Sequence, residues 1–216
     1  MEGPQPKLTP ARRVLWVLAI YVAVVVLGYL MAFATVLGAR LLGDDPRVAF
    51  EGVKNFRIVD DRVWAGAQPQ PRGYRQLGED GVTLVVDLRT GADDDPRLGD
   101  PEQLAAQGIN HLALPIPDGH APSPRQVERL VAAVDAAEGV VFVHCGGGVG
   151  RSTALTSAYA RAEGGDHSVP DHLAIGPHTF EQAWFVVTGD SNVVVRRVSE
   201  LLDAPRRAWS RLRAAL

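Results

Sequence analysis

The chain has 216 residues, 46% of them hydrophobic, enough for one ordinary domain and too apolar for global disorder. It carries 22 Lys and Arg against 25 Asp and Glu, a formal charge of −3, and an aromatic content of 6%. Neither a basic stripe nor a stacking platform is evident, so nucleic acid is not an expected partner. The single Cys excludes an internal disulfide framework and an all-Cys zinc site.

Residues 1–13 form an N-terminal segment ending on Arg12 and Arg13, and residues 14–39 then carry no charge at all. A helix of about 26 residues would reach about 39 Å, more than the ~30 Å of a bilayer's hydrocarbon core. Trp16 and Tyr21 lie near one end, where aromatics sit at headgroup depth. The pattern predicts one transmembrane helix, with the lipid bilayer as partner of 14–39. Two alternatives stay open. A signal peptide could be cleaved near Ala32-Phe33-Ala34, although the apolar run is long for one. A buried core helix would need partners on every face. Lys7, Arg12 and Arg13 precede the span, and Arg40, Arg47, Lys54 and Arg57 follow it, so the positive-inside rule is nearly balanced.

Residues 40–52 read as a polar linker and 53–216 as the folded domain. Residues 56–59 and 62–65 suit two short strands about the Asp60-Asp61 turn, and 72–79 suits a short helix stopped by Gly81. Residues 82–88, VTLVVDL, form a β-branched run that fits a buried strand. A charged loop over 89–101, a helix over 101–107 and a strand over 109–114 follow. The Pro- and Gly-rich stretch 115–124 must be a loop. Ser123 and Pro124 open an amphipathic helix through 138, and 140–143 is another buried strand. The alternation predicts an α/β fold with a mostly parallel central sheet flanked by helices.

That last strand runs directly into His144-Cys145-Gly146-Gly147-Gly148-Val149-Gly150-Arg151-Ser152, and a helix-like segment starts at 153. Strand, glycine-rich loop and helix together make an anion cradle. Backbone N–H groups turn inward, and the helix N-terminus adds positive partial charge. Arg151 supplies a planar fork that matches two phosphate oxygens. The same field favours the thiolate of Cys145, the form that acts as a nucleophile.

Here the sequence resembles the cysteine-based protein phosphatases, whose signature is His-Cys, five residues, then Arg and Ser or Thr. Within them it is similar to the dual-specificity branch, particularly kinase-associated-phosphatase-like members. Residues 64–69 (WAGAQP), 85–89 (VVDLR) and 115–118 (PIPD) fall where that branch has comparable segments. The resemblance covers about 54–165 and leaves a divergent C-terminal helical part. Joined to the apolar span read above as an anchor, it implies a membrane-anchored protein phosphatase acting on phosphotyrosine, with phosphoserine and phosphothreonine as further candidates, in a phosphoprotein or phosphopeptide. Cys145 would form a cysteinyl-phosphate. Gly146, Gly147, Gly148, Val149, Gly150 and Arg151 would bind phosphate, and Asp118 would be the general acid. Ser152 would ease departure of the sulfur, and His144 would order the loop. No cofactor and no metal are implied. A thiolate enzyme with phosphoprotein substrates fits the cytoplasmic side of the membrane. Two other readings are a phosphoinositide phosphatase, which the uncharged loop disfavours, and a catalytically weak phosphate-binding module.

Several residues have plainer roles to set beside these. Asp93, Asp94 and Asp95 suit a solvated loop better than a cation site. Asp87 and Arg89 suit a structural pair. His120 could line the site. His167, His172 and His178 have no metal-ligand spacing. Arg196, Arg197, Arg206, Arg207, Arg211 and Arg213 suggest one basic C-terminal helix, solvated or facing an anionic membrane.

Overall fold

Alternation of side chains along the strands decides the layers of this molecule. A computed structural model describes residues 9–42, 45–91, 104–105, 107–165 and 168–214. Five strands, β1 (Arg57–Ile58), β2 (Val63–Ala67), β3 (Val82–Asp87), β4 (Asn110–Ala113) and β5 (Val140–Cys145), form one sheet in the order β1-β2-β5-β3-β4. β1 and β2 pair antiparallel, as a hairpin must, and every other pairing is parallel. The apolar runs of β3 and β5 lie where both sheet faces are covered. On β5, Val141, Val143 and Cys145 face one layer while Phe142 and His144 face the other, the period of two that a pleated strand imposes.

Helices cover both faces. Tyr74 and Leu77 of α2 (Pro71–Glu79) pack with Phe142, Val85 and Phe56 on one side. On the other, Leu130 and Val134 of α3 (Pro124–Ala136) and Leu155 and Tyr159 of α4 (Arg151–Ala162) pack with Val63, Val86, Val141 and Val143. Gln126 Oε1 accepts from the Ser123 N–H at 2.8 Å, securing the start of α3. Residues 151–160 of α4 are all buried. α4 begins at Arg151, two residues before the helix read from sequence, which puts Arg151 and Ser152 in its first turn.

The expected single basic C-terminal helix is corrected to two, α7 (Val193–Leu202) and α8 (Ala204–Ala214), after two shorter helices, α5 (Val169–Ile175) and α6 (Phe180–Thr188). Pro205 explains the break: a proline has no N–H to continue the ladder and belongs in a first turn. The helix expected over 101–107 and the Asp93–Asp95 cluster lie mostly or wholly outside the described residues.

α1 (Pro10–Leu42) is 33 residues long with a mean hydropathy of 2.6 in its most apolar stretch, and nearly all of it is exposed. By length and composition it can cross a membrane. Its end rests on α5, where Ala39 packs with Leu173 and Ala174 and Arg40 Nε donates to Ala174 O at 3.1 Å. Farther back, Tyr21 Oη donates to Leu201 O at 3.2 Å. Within the segment read as a linker, Phe50 stacks on Phe56 with ring centroids 4.2 Å apart.

Candidate active site

The C-terminal ends of the parallel strands meet at one sheet edge, the place where α/β folds gather their ligands. In register, Ala67 lies beside Cys145, Asp87 beside His144, and Ala113 beside Asp87. The chain leaving each strand end therefore contributes to one bowl around Cys145.

The loop that follows β5 is held from outside by its carbonyls. Gly146 O accepts from Gln68 N–H at 3.2 Å, Gly147 O from Asn55 Nδ2 at 2.9 Å, and Gly148 O from Arg57 Nη1 at 2.9 Å. A peptide group is planar, so a carbonyl pulled outward turns the N–H of the next residue inward. Gly148 N–H accordingly points at Cys145 Sγ, 3.3 Å away. Ser152 Oγ stands 3.7 Å from the same sulfur. Cys145 is 3% exposed. Among the loop glycines only Gly148 has a positive φ, +72°.

Arg151 is almost wholly buried. Its Nη1 donates to Leu88 O at 3.4 Å and Ile116 O at 3.3 Å, and Nη2 lies 3.5 Å from Asp118 Oδ1. The Asp118 side chain is 58% exposed, available to a molecule seated in the bowl. Cys145, Arg151, Ser152 and Asp118, far apart in sequence, are thus brought together. An arrangement of inward N–H groups, a guanidinium, a sulfur and an exposed carboxylate can bind a tetrahedral anion, attack it and move a proton beside it.

His144 lies on the opposite face of β5, stacked on Phe142 and edge-on to Tyr74. Burial pushes its imidazole down to about 4, against the pull of Asp87, so it is uncharged at neutral pH. Asp87 takes a two-pronged contact from Arg89, with Nη2 to Oδ2 at 2.7 Å and Nε to Oδ1 at 3.0 Å. Burial raises Asp87, but the hydrogen bonds and the charge of Arg89 offset this and hold it below the ordinary aspartate value. A lowered carboxyl contributes stability above its unfolded value, and that contribution is lost as pH falls through the folded one. Denaturant midpoints should therefore drop on acidification below the usual carboxylate range. Asp87→Asn should be less stable at neutral pH and show a shallower drop; an identical pH slope in the variant would contradict the assignment.

Sequence reasoning missed the residues that grip the loop bearing Asp118. Glu181, fully buried on α6, accepts from or pairs with His120 Nδ1 at 2.9 Å, Ser191 Oγ at 2.8 Å and Ala121 N–H at 3.4 Å. Thr179 Oγ1 donates to Gly119 O at 2.6 Å, and Gln182 Nε2 to His120 O at 3.2 Å. His120 is turned toward Glu181. A pocket of about 150 Å³ beside Asp118 is lined by His120, Ser199, Glu200, Asp203, Arg206 and Arg207. The signal available in sequence was slight: a Thr-x-Glu-Gln stretch at a helix start, with nothing to name its partners about 60 residues upstream. Asn55 and Arg57, which hold the loop carbonyls, were missed for the same reason. His178 stands near Gly147, and its imidazole is lowered by burial first and then by Arg206. His167 lies outside the described residues. Among those described, no group of three or more His, Cys, Asp or Glu could hold a metal.

Comparisons with known proteins assign the chain to a family. The model of the family described as DSP-PTPase phosphatase fused to NAD+ kinase matches residues 50–181. Human dual specificity protein phosphatase CDC14C is 30% identical over 116 residues, covering 47% of this chain and 25% of that protein. The chain thus spans about a quarter of the length of that relative. Tk-PTP in its active form superposes with a TM-score of 0.53 at 23% identity, over 65% of this chain and 97% of that one. PTPMT1, solved in complex with PI(5)P, superposes at 0.50 and 18% identity, over 70% and 98%. At these identities the two structures speak for the fold alone. The chain belongs to the DSP-PTPase family described as fused to NAD+ kinase, and with it to the cysteine-based dual-specificity phosphatases, which are phosphoric monoester hydrolases.

Proposed function

We propose that the chain is a membrane-anchored protein phosphatase that hydrolyses phosphotyrosine through a cysteinyl-phosphate on Cys145. The observation that carries this reading is the convergence of Cys145 Sγ, the Gly148 N–H 3.3 Å from it, and the Arg151 guanidinium 3.5 Å from Asp118. The phosphoryl oxygens bind the N–H groups of 146–150 and the fork of Arg151. The Cys145 thiolate attacks phosphorus, the P–O ester bond breaks, and Asp118 protonates the leaving oxygen. Asp118, now a carboxylate, takes a proton from water. That water attacks phosphorus, the P–S bond breaks, and phosphate leaves as Ser152 hydrogen-bonds the departing sulfur.

A phosphopeptide panel assayed beside inositol lipids tests the substrate class, with the full chain in detergent micelles. Two observations bear on the lipid reading. Residues 146–150 carry no charge, and the adjoining pocket sets three carboxylates, Asp118, Glu200 and Asp203, against Arg206 and Arg207. This balance supports a single phosphate with a polar neighbour over a polyanionic headgroup. Faster hydrolysis of inositol lipids than of any phosphopeptide would overturn it. Asp118→Asn should slow phosphotyrosine hydrolysis by about 10²-fold or more and an activated aryl phosphate far less, because only a poor leaving group needs the proton. Equal loss on both would assign Asp118 a structural role.

α1 is proposed as the anchor, with the catalytic domain facing the cytoplasm. Full insertion of 14–39 would exchange the Tyr21–Leu201 contact for lipid while the Arg40–Ala174 contact could stay at the membrane boundary. Digestion of the catalytic part by protease added outside intact cells would overturn the orientation, and recovery of the full chain in the soluble fraction would overturn the anchor.

A further inference from the structure

Arg57 is 2% exposed, and its guanidinium sits behind the phosphate-binding loop. Nη1 donates to Gly148 O at 2.9 Å and Asn55 O at 3.4 Å. Nη2 donates to Thr153 Oγ1 at 3.2 Å and Ser152 Oγ at 3.4 Å, while Nε has no partner. Burial lowers it to about 10, the charge of Cys145 raises it and Arg47 lowers it, so it is a cation at neutral pH. Among the described residues no carboxylate pairs with it. A buried charge without a counter-ion is costly, and a fold that retains one has an anion for it nearby. Among the described residues the group that can meet this need is the sulfur of Cys145, together with a phosphoryl group seated above it in the proposed reaction.

Each contact has a direction that serves the site. Pulling Gly148 O outward turns the Val149 N–H inward, toward the place of a phosphoryl oxygen. Donating to Ser152 Oγ occupies a lone pair of that hydroxyl and leaves its proton free for Cys145 Sγ, 3.7 Å away. We propose that Arg57 is a positioning residue of this active site: a buried cation, unpaired by any carboxylate among the described residues, that orients the 148–149 peptide and the Ser152 hydroxyl and favours the ionised form of Cys145. The inference rests on the reading of Cys145 as nucleophile, and its test reads the sulfur directly.

Cys145 is the chain's single cysteine, so its alkylation by iodoacetamide reports on that sulfur alone. Arg57→Gln keeps an amide donor for Gly148 O and loses the charge; Arg57→Lys keeps the charge and loses the fork. In the full chain in micelles, at one mildly acidic pH, Arg57→Gln should alkylate about tenfold more slowly or worse, and its kcat/KM should rise only at higher pH than in the wild type. Arg57→Lys should keep alkylation within about threefold while kcat falls. A merely structural residue would leave alkylation of the folded variant unchanged, and wild-type alkylation in a folded Arg57→Gln would overturn the proposal. Should thermal melting show Arg57→Gln unfolded, Arg57→Lys decides: a rate near wild type supports the charge role and a tenfold loss refutes it. A wild-type chain that alkylates rapidly, loses this in Arg57→Gln and releases no phosphate from any substrate would sink the phosphatase reading and leave this one standing.

Discussion

Replacing Cys145 by serine is expected to lower turnover by several orders of magnitude while substrate still binds. A hydroxyl is not ionised near neutral pH, so the loop geometry survives and the attacking group does not. The neighbourhood makes the contrast sharp. Gly148 N–H and Ser152 Oγ lie 3.3 Å and 3.7 Å from the sulfur and can still meet a serine oxygen, and the Arg151 fork is untouched. Arg151→Lys should cost about a hundredfold or more, because an ammonium cannot make the two-pronged contact and cannot replace the donations to Leu88 O and Ile116 O. Single-turnover kinetics with a phosphopeptide and with an aryl phosphate would check both. Retention of more than about a hundredth of wild-type turnover by Cys145→Ser would refute the covalent route.

Gly148→Ala is expected to be among the most damaging single substitutions in the loop. A Cβ there would stand 2.2 Å from Ala67 N and 2.4 Å from Gly66 C, both backbone atoms, and φ is +72°. Neither clash can be relieved by rotating a side chain, so β2 or the loop must move. A loss of about 3 kcal/mol or more in stability is expected, with phosphate release lost alongside. Gly146→Ala is the matched control. Its nearest neighbour would be Arg151 Nη2 at 3.8 Å, so stability should stay within about 0.5 kcal/mol of wild type. Denaturant unfolding of the two variants side by side separates the cases. Equal stability would mean that the loop does not need this backbone conformation.

These two sites mark how far the amino-acid pattern could be read. Residues 82–88 and 140–143 announced themselves because a strand covered on both faces needs an unbroken apolar run. The spacing of Cys145, Arg151 and Ser152 is local, so one loop and one helix start carry it. Asp118 entered through the resemblance, its Pro- and Gly-rich loop matching the family's general-acid segment. The elements that hold these groups were not legible, because each acts across a long stretch of chain. Asn55 and Arg57 reach the loop from 92 and 91 positions away. Arg57 in particular sits in a two-residue strand beside Ile58 and looks like an ordinary exposed cation until the fold buries it. Thr179 and Glu181 look like a helix cap and a first-turn acid, which they also are, since Thr179 Oγ1 accepts from Gln182 N–H. The loop glycines were read together as a conformational need. Only Gly148 has a positive φ, while Gly150 lies under Gln182, whose Oε1 would stand 2.4 Å from an added Cβ.

The grip of α6 on residues 119–121 also sets an order of events at the ribosome. Cys145, Arg151 and the strands that place them are synthesised before Thr179, Glu181 and Gln182, and Ser191 and Ser199 come later still. A nascent chain that has emerged only to residue 165 already holds the elements for seating an anion. The loop beside it does not yet have the partners that fix Asp118's neighbours. A chain ended there would also leave Ala154 and Ala158 of α4 without Phe185, so the packing behind the anion site is completed only when α6 has been made.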